Sequence, residues 1–409
     1  MTLLSPEHRP AWRSLPRNVW IATATSFLTD VSSEMLLNLV PLFLANVLGA
    51  STAIIGLIEG LAETTSALLK ATSGWLSDKI RGRKWLAVTG YALSAVTKPL
   101  FYFAATWPMV LLIRFIDRAG KGIRTAPRDA LIADSIDANR RGVVFGLHRA
   151  GDTAGAALGL VIALLIVLAT GAGALTLSRE TFQTLALISA VPAVIAVMVL
   201  AFGAREVRLP AHKPGQAQAN ASILSGRFRY FLLVMALFTL GNSSDAFLIL
   251  RAQERGLNVA GILGMLISFN LIYALAAGPL GALSDRVGRR RLLLGGWIVY
   301  GLIYIGFALA QDAAQIWLLY ALYGLYYAAT EGAAKAYVAD LIPPESRGTA
   351  YGAFNATVGL MAFPASLLAG MLWQGAFGWT GFGPAAPFIG GAVLSLAAVI
   401  LFSLQPKAG

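Results

Sequence analysis

The chain has 409 residues, of which 57% are hydrophobic and only 13% are charged. Soluble domains average about 45–50% apolar and about 25% charged residues, so this composition excludes an ordinary soluble protein and predicts a membrane protein. Basic residues exceed acidic ones by 12, but we expect this excess in short loops beside a bilayer and not on a nucleic-acid-binding surface. Cysteine is absent, which excludes disulfides and cysteine-based metal sites.

Twelve apolar segments follow one another, each about as long as the roughly 20 residues with which a helix crosses a bilayer. They cover residues 18–47, 52–77, 84–105, 107–128, 142–169, 182–203, 228–250, 258–283, 292–311, 315–338, 348–373 and 386–405. Basic residues concentrate in the second, sixth and eighth loops, so the positive-inside rule places these loops and both termini in the cytoplasm. The polar N-terminus indicates a retained segment and not a signal peptide. We predict an all-α, multi-pass protein of the inner or plasma membrane.

The two halves of the chain repeat each other. Residues 74–84, after the second segment, match residues 281–290 after the eighth, with one extra residue in the first copy. Asp134 and Asp340 occupy matched places further along each half. Such spacings indicate duplication of a six-helix unit. We therefore predict an N-terminal bundle over 1–203, a cytoplasmic linker over 204–227 and a C-terminal bundle over 228–409.

The repeated loops resemble those of the major facilitator superfamily of secondary transporters. The family's signature G-x-L-x-D-[RK]-x-G-[RK]-[RK] is matched without gaps by residues 281–290 and with one insertion by residues 74–84. The resemblance implies two pseudo-symmetric six-helix bundles around a central cavity, lined by helices 1, 4, 7 and 10, and alternating access by rocking of the bundles. The resemblance also implies that these loops act in gating. The candidate gating residues are Asp78, Arg83, Asp285, Arg286 and Arg289. The family's drug-exporter signatures are only partly matched in the fourth and fifth segments.

Charged residues of the fourth segment fall on one helical face at spacings of three and four. They are Arg114, Asp117, Arg118, Lys121, Arg124 and Arg128. An ionisable side chain at the bilayer centre costs at least about 2.5–3.5 kcal/mol, so several on one face indicate a functional surface. One interpretation is an anion-binding wall of Arg114, Arg118 and Lys121, with Asp117 neutralising part of its own stripe. The other is a lattice of ion pairs with neighbouring helices. Snorkelling or a loop contact is favoured for Arg124 and Arg128.

The matching face of the tenth segment has a different chemistry. Its candidate substrate contacts are Tyr320, Tyr323, Tyr327 and Glu331, and Asn38 of the first segment joins them. Phenol hydroxyls, aromatic faces and an acid opposite a cationic wall favour a solute with an anionic group and an apolar, aromatic or cationic remainder. Packing is the alternative for the tyrosines.

Acidic residues inside the predicted membrane segments are candidates for proton coupling. They are Asp30, Glu34, Glu59, Glu63, Asp117 and Asp245. Carboxylates in a desolvated cavity can exchange protons near neutral pH, whereas a nearby arginine favours the ionised form. Glu34 and Asp30 are favoured because the first helix is expected to line the cavity, and structural ion pairing is the alternative for each acid. His148 and Asp152, one turn apart, form either a relay or a packed contact.

These residues predict a proton-coupled secondary active transporter that moves a small organic solute with an anionic group, by uptake or efflux. The alternative is a proton antiporter that exports drugs or cationic amphipaths. The sequence has no G-x-x-x-x-G-K-[ST] motif, so we expect no ATP-driven transport and no cofactor. It has no clustered histidine ligands, so we expect no dedicated metal centre, with a hard-ion site built from carboxylates as the alternative. The resemblance implies a transporter and not an enzyme. The expected partners are the solute, protons and the lipid bilayer, without nucleic acid, and the functional unit is expected to be a monomer.

Overall fold

The structure is a computed structural model that describes residues 15–80, 82–136, 141–171, 174–207, 226–343 and 347–405. Twelve long helices follow one another in this part of the chain. They are α1 (Arg17–Val47), α2 (Thr52–Ile80), α3 (Arg83–Leu100), α4 (Trp107–Ala133), α5 (Arg141–Gly171), α6 (Arg179–Gly203), α7 (Gly226–Glu254), α8 (Val259–Val287), α9 (Arg289–Leu309), α10 (Ala313–Leu341), α11 (Arg347–Gln374) and α12 (Ala386–Leu404). The twelve predicted segments are therefore confirmed as helices.

Two of these helices depart from regular α geometry. α1 contains a 3₁₀ turn at Leu37–Leu39 and ends in the π-helical stretch Phe43–Val47. α7 is interrupted between Gly241 and Ala246, within a segment that the apolar pattern predicts as one continuous helix. The intervening residues 242–245 are polar, and their side chains can satisfy backbone groups that an unbroken helix would have paired internally.

Most helices are suited to a bilayer. Nine in the described part of the chain are apolar and long enough to cross a membrane, and α3, α4 and α10 are the exceptions. The charged stripe of α4 explains its lower hydropathy. Large apolar side chains such as Phe202 and Leu275 point outward, with 83% and 69% of their surface exposed, as expected for a surface that meets lipid. The prediction of an all-α, multi-pass membrane protein is confirmed.

Within α1–α6 and within α7–α12 most helices pack chiefly among themselves, but α2 and α11 pack most extensively on each other and join the two halves, with a second contact between α5 and α8. The approach of α2 to α11 is close because Gly56 faces the Ser366 carbonyl, where a Cβ atom would lie 2.1 Å from the oxygen. Thr52 Oγ1 also donates to the Gly370 carbonyl at 2.8 Å. The boundaries 1–203, 204–227 and 228–409 stay a prediction, because residues 208–225 lie outside the described part of the chain.

The loops with the repeated signature lie on one side of the helices, which we call the motif side. Here Arg83 pairs with Asp134 at 3.0 Å, and Arg289 pairs with Asp340. Both pairs span 51 residues, so the duplication extends to the contacts. Arg286 is exposed. The side chains of Asp78 and Asp285 lie outside the described part of the structure, and the gating role of all five residues stays a prediction.

The opposite side of the helices is closed between the halves. The segment Val40–Leu42 of α1 packs against Ala246–Glu254 of α7, and Leu39 and Leu248 are completely buried. Gln253 Nε2 donates to the Leu175 carbonyl at 2.8 Å. Apolar packing and a hydrogen bond therefore separate the interior from this side.

Arg251 stabilises this closed end. Its side chain is buried, and it donates to the carbonyls of Phe307 at 2.9 Å and Ala308 at 2.8 Å. We expect Arg251→Met to lower the free energy of unfolding by about 2–3 kcal/mol, because carbonyls at the end of α9 lose their donors. Arg255→Met is the control, since Arg255 pairs with Glu254 at a partly exposed position. Chemical unfolding followed by circular dichroism measures both variants, and equal stabilities would contradict the expectation.

Candidate functional site

A cavity of about 360 Å³ lies between the two halves, and α1, α2, α4, α7, α10 and α11 line it. Its charged lining residues are Asp30, Glu34, Glu59, Glu63, Asp117 and Asp245, together with Arg114, Arg118, Lys121 and Arg124. The contributions of helices 1, 4, 7 and 10 match the expected lining. Lining by α2 and α11 was not expected, and the close seam between these two helices accounts for it.

α4 carries all four cationic side chains of the described lining. The helix begins at Trp107, and Pro108 stands in its first turn, where a missing backbone donor has no cost. From Arg114 onward the spacing of three and four keeps the charges on one face while apolar residues cover the other. The predicted stripe is therefore present and faces the cavity.

Two arginines of α4 pair with two glutamates of α2. Arg114 donates to Glu59, and both side chains are buried. Arg118 lies 3.1 Å from Glu63, whose side chain is 46% exposed. The residues stand four apart on each helix, so the pairs form a ladder along the wall, which agrees with the ion-pair interpretation. The outer pair, unlike the inner one, is accessible to water.

Asp117 is bound from outside its own stripe. Lys98 of α3 lies 3.0 Å from its carboxylate, and both side chains are buried. Thr97 Oγ1 lies 3.3 Å from the same carboxylate oxygen. The ion pair of Asp117 among the described residues is therefore with α3 and not with its own helix, and neutralisation of its neighbours on α4 stays a prediction. A signal was available, since a lysine in an apolar helix needs a partner, but the partner's identity depends on how α3 packs on α4.

The motif-side end of the stripe is also held by specific contacts. Arg124 is buried, donates to Ser94 Oγ at 2.8 Å and lies over the Tyr91 ring at 4.6 Å. Arg128 donates to Ser26 Oγ at 2.9 Å and pairs with Asp129. Snorkelling is therefore the wrong interpretation of Arg124, because its guanidinium stays inside the N-terminal half.

Besides Arg124, three lining charges of α1 and α4 have no ion-pair partner in the described part of the structure. Among the described residues, none of opposite charge lies within ion-pair distance of Lys121, Asp30 or Glu34. Lys121 is exposed, and Glu34 accepts a hydrogen bond from Asn38 Nδ2 at 2.7 Å. These side chains retain unused charge, which a solute or a proton could satisfy.

The interruption of α7 places Asp245 on the C-terminal wall of the cavity. Tyr323 OH donates to Asp245 Oδ1 at 3.1 Å, and the backbone N–H of Ser244 donates to Ser366 Oγ at 3.2 Å. Tyr327 lines the same wall. Among the described lining residues of the C-terminal half, Asp245 carries the only charge. The chemical asymmetry between the two halves is therefore real.

Two predicted substrate contacts lie outside this cavity. Tyr320 is buried behind the wall, with its ring centroid 5.3 Å from that of Phe269. Glu331 lines a second cavity of about 530 Å³, where it accepts a hydrogen bond from Tyr273 OH at 2.7 Å and pairs with Lys335 at 3.1 Å. Helical spacing places both residues on the face of Tyr323, but the packing of α10 against α8 covers Tyr320 and directs Glu331 toward the motif side.

His148 and Asp152 lie 3.8 Å apart, and His148 is buried. The distance between His148 Nδ1 and Thr23 Oγ1 is 3.5 Å. The choice between a relay and a packed contact stays open. Within the described residues, no group of three or more His, Asp or Glu side chains is arranged to hold a metal ion.

Comparison with known proteins places these features in a family. A family model described as Major Facilitator Superfamily matches residues 22–268 and 230–408. An uncharacterised MFS-type transporter of Methanocaldococcus jannaschii is 38% identical over 395 residues, which cover 95% of each chain. The multidrug resistance protein MdtG of Rahnella sp. is 25% identical over 333 residues, 78% of each chain. A crystal structure of the nucleoside transporter NupG has a TM-score of 0.75 at 16% identity, covering 96% of this chain and 100% of that one, and supports the fold.

Proposed function

Because the chain belongs to the major facilitator superfamily, and is thus a membrane transporter and not an enzyme, we propose that it is a proton-coupled secondary active transporter. Its cargo is a small organic solute with an anionic group, which passes through the central cavity by alternating access. The observation that carries this proposal is the pair of the mostly buried Arg118 with the exposed Glu63, beside Lys121, which has no ion-pair partner among the described residues.

This arrangement allows a proton and an anion to act on one arginine. When Glu63 binds a proton, it loses the charge that holds Arg118. Arg118 and Lys121 stand three residues apart on one helical face, so both can then reach a carboxylate or phosphate group of the solute. When Glu63 loses the proton, it competes again for Arg118 and weakens the binding of the anion. Solute binding and proton binding thereby favour each other.

The orientation of the protein follows from its basic loops. We propose that the motif side is cytoplasmic, together with both termini, and that the protein acts as a monomer in the plasma or inner membrane. Glu63 and Lys121 are exposed whereas the opposite side is closed. This conformation therefore corresponds to the inward-facing state of the transport cycle.

Proteoliposomes test this proposal through solute-driven proton movement. A panel of organic acids and amino acids is added outside vesicles that contain the purified protein and a pH-sensitive dye. We expect at least one solute to move protons. We expect Arg118→Ala and Lys121→Ala each to lower its transport about 10- to 100-fold, because each removes a charge-assisted contact with the anion. Transport that ignores a pH gradient and survives both substitutions would contradict the proposal.

A second candidate function is export of drugs or cationic amphipaths. Asp30, Glu34 and Asp245 have no cationic partner among the described residues, and the relative MdtG is named a multidrug resistance protein. Overexpression in a drug-sensitive bacterium, with dye efflux as the readout, tests this alternative. Unchanged resistance together with unchanged dye efflux would count against it.

A further inference from the structure

We propose that the solute is bipolar: its anionic group binds Arg118 and Lys121, and a cationic group binds Asp245 beside the ring of Tyr327. This inference rests on the proposed function, because it names the second pole of the same solute. It adds a ligand class, that of zwitterions and similar ions with separated charges, and a C-terminal subsite for the cation.

The balance of charge in the cavity is the first reason. The pairs of Arg114 with Glu59 and of Arg118 with Glu63 leave neither sign in excess. The lining charges without an ion-pair partner among the described residues are then two cations, Lys121 and Arg124, against three carboxylates, those of Asp30, Glu34 and Asp245. A purely anionic solute would increase this excess of negative charge, whereas a group with a positive charge reduces it.

The geometry around Asp245 is the second reason. Tyr323 OH occupies Oδ1 of the carboxylate, and no hydrogen bond to Oδ2 is formed by a described residue. The rings of Tyr323 and Tyr327 contact each other, with centroids 5.8 Å apart at 64°. Tyr323 is buried, whereas Tyr327 is partly exposed and lines the cavity near Asp245. An ammonium or guanidinium group gains from a free carboxylate oxygen and from the negative face of an aromatic ring.

The positions of the two poles are the third reason. Every cation of the described lining lies on α4, and the C-terminal wall contributes no cation. A solute that contacts both walls therefore finds cations only on the N-terminal wall, whereas the one charge on the described C-terminal wall is the carboxylate of Asp245. The volume of about 360 Å³ is at the small end for ligand cavities, which favours a metabolite-sized molecule with its two charges a few bonds apart.

Such a solute would also link the two halves of the transporter. Its anionic group is held by the N-terminal half and its cationic group by the C-terminal half. A molecule with only one charged group leaves the other wall without a partner. The closing movement of the two halves is therefore favoured only when both poles are occupied.

Matched sets of probes test this proposal on the full-length purified protein. Each set contains a zwitterion with its anion-only and cation-only counterparts: 4-aminobutyrate, butyrate and butylamine; phenylalanine, 3-phenylpropionate and 2-phenylethylamine; and 4-trimethylammoniobutyrate, butyrate and butyltrimethylammonium. Thermal stability is measured against concentration for each probe. We expect the zwitterion of at least one set to bind with an affinity about 10- to 100-fold higher than that of either counterpart.

The variant Asp245→Asn keeps the shape of the side chain and removes the charge. We expect it to weaken binding of the zwitterion about 10- to 100-fold and to leave binding of the anion-only probe unchanged. The matched control is Asp312→Asn. Asp312 is the N-cap residue of α10 and is not among the described lining residues of the cavity. Asparagine also caps a helix well. The control should bind every probe like the wild type.

Three results would overturn the proposal. They are equal binding of an anion-only probe and its zwitterion, failure of the zwitterions of all three sets to bind, and unchanged discrimination in Asp245→Asn. The proposed function can fail separately. Proton-coupled transport of an anion-only solute would refute the cationic subsite alone, whereas transport of a zwitterion without any dependence on the pH gradient would refute the proton coupling alone.

Discussion

Replacing Lys98 with methionine is expected to lower the free energy of unfolding by about 3–5 kcal/mol. Lys98 and Asp117 are both buried, and their charged atoms lie 3.0 Å apart. Methionine fills a similar volume but leaves the aspartate without its cation. Chemical unfolding of the purified variant in detergent measures the loss.

The double variant Lys98→Met with Asp117→Leu distinguishes the charge from the packing. Replacing both partners of a buried pair with apolar residues is often neutral or stabilising, so we expect most of the lost stability to return. Lys335→Met is the control, because Lys335 forms an exposed pair with Glu331 and such pairs contribute little. Two single-site losses that simply add in the double variant would refute the proposed role of this pair.

The same double variant tests Asp117 as a proton carrier. If stability is restored and pH-dependent transport continues, Asp117 has a structural role only. If stability is restored and coupling is lost, Asp117 belongs to the proton pathway. The two outcomes distinguish a role of Asp117 in proton coupling from its role in stability.

The largest functional effect is expected from Glu63→Gln. Glutamine resembles the protonated glutamate, so Arg118 stays available to the anion at every pH. We expect solute binding to lose its pH dependence and uphill accumulation driven by a pH gradient to fall at least about 10-fold, within the usual range of coupling between two sites. Proteoliposome accumulation and thermal-shift titration at two pH values measure the two quantities.

Glu180→Gln is the matched control for this variant. Glu180 stands in the first turn of α6 and is exposed, so its neutralisation should alter neither binding nor accumulation. The contrary result is that Glu63→Gln accumulates the solute like the wild type and keeps the pH dependence of solute binding. That result would show that the pair of Glu63 with Arg118 does not couple protons to the solute. Glu34 and Asp30 would then be the next candidates for the same substitution.

The helices were predictable because a membrane allows few backbone arrangements. A segment in hydrocarbon must satisfy its hydrogen bonds internally, so length and apolar content locate each span. The fourth segment, predicted over 107–128, is the helix Trp107–Ala133. The interruption of α7 was missed because the polar residues 242–245 are too few to change the apolar pattern of a long segment.

The partners of the charged residues were not predictable in the same way. Helical spacing shows that Arg114, Asp117 and Arg118 share a face, but it contains no information about which neighbouring helix approaches that face. Tyr320 and Glu331 illustrate the same limit, since one is covered by α8 and the other reaches a different cavity.

The sequence by itself determined the class of the protein, the duplication of its halves and the charged face of α4, because hydrophobicity and periodicity are local properties of a chain. Only the tertiary structure decided that Glu59 and Glu63 hold two arginines, that Lys98 holds Asp117, and that Lys121 and Asp245 have no partner of opposite charge among the described residues. Pairing depends on distances between helices that are remote in sequence. Electrostatic energy changes steeply with those distances inside a protein, so the contacts, and with them the proposed solute, emerge only from the packing.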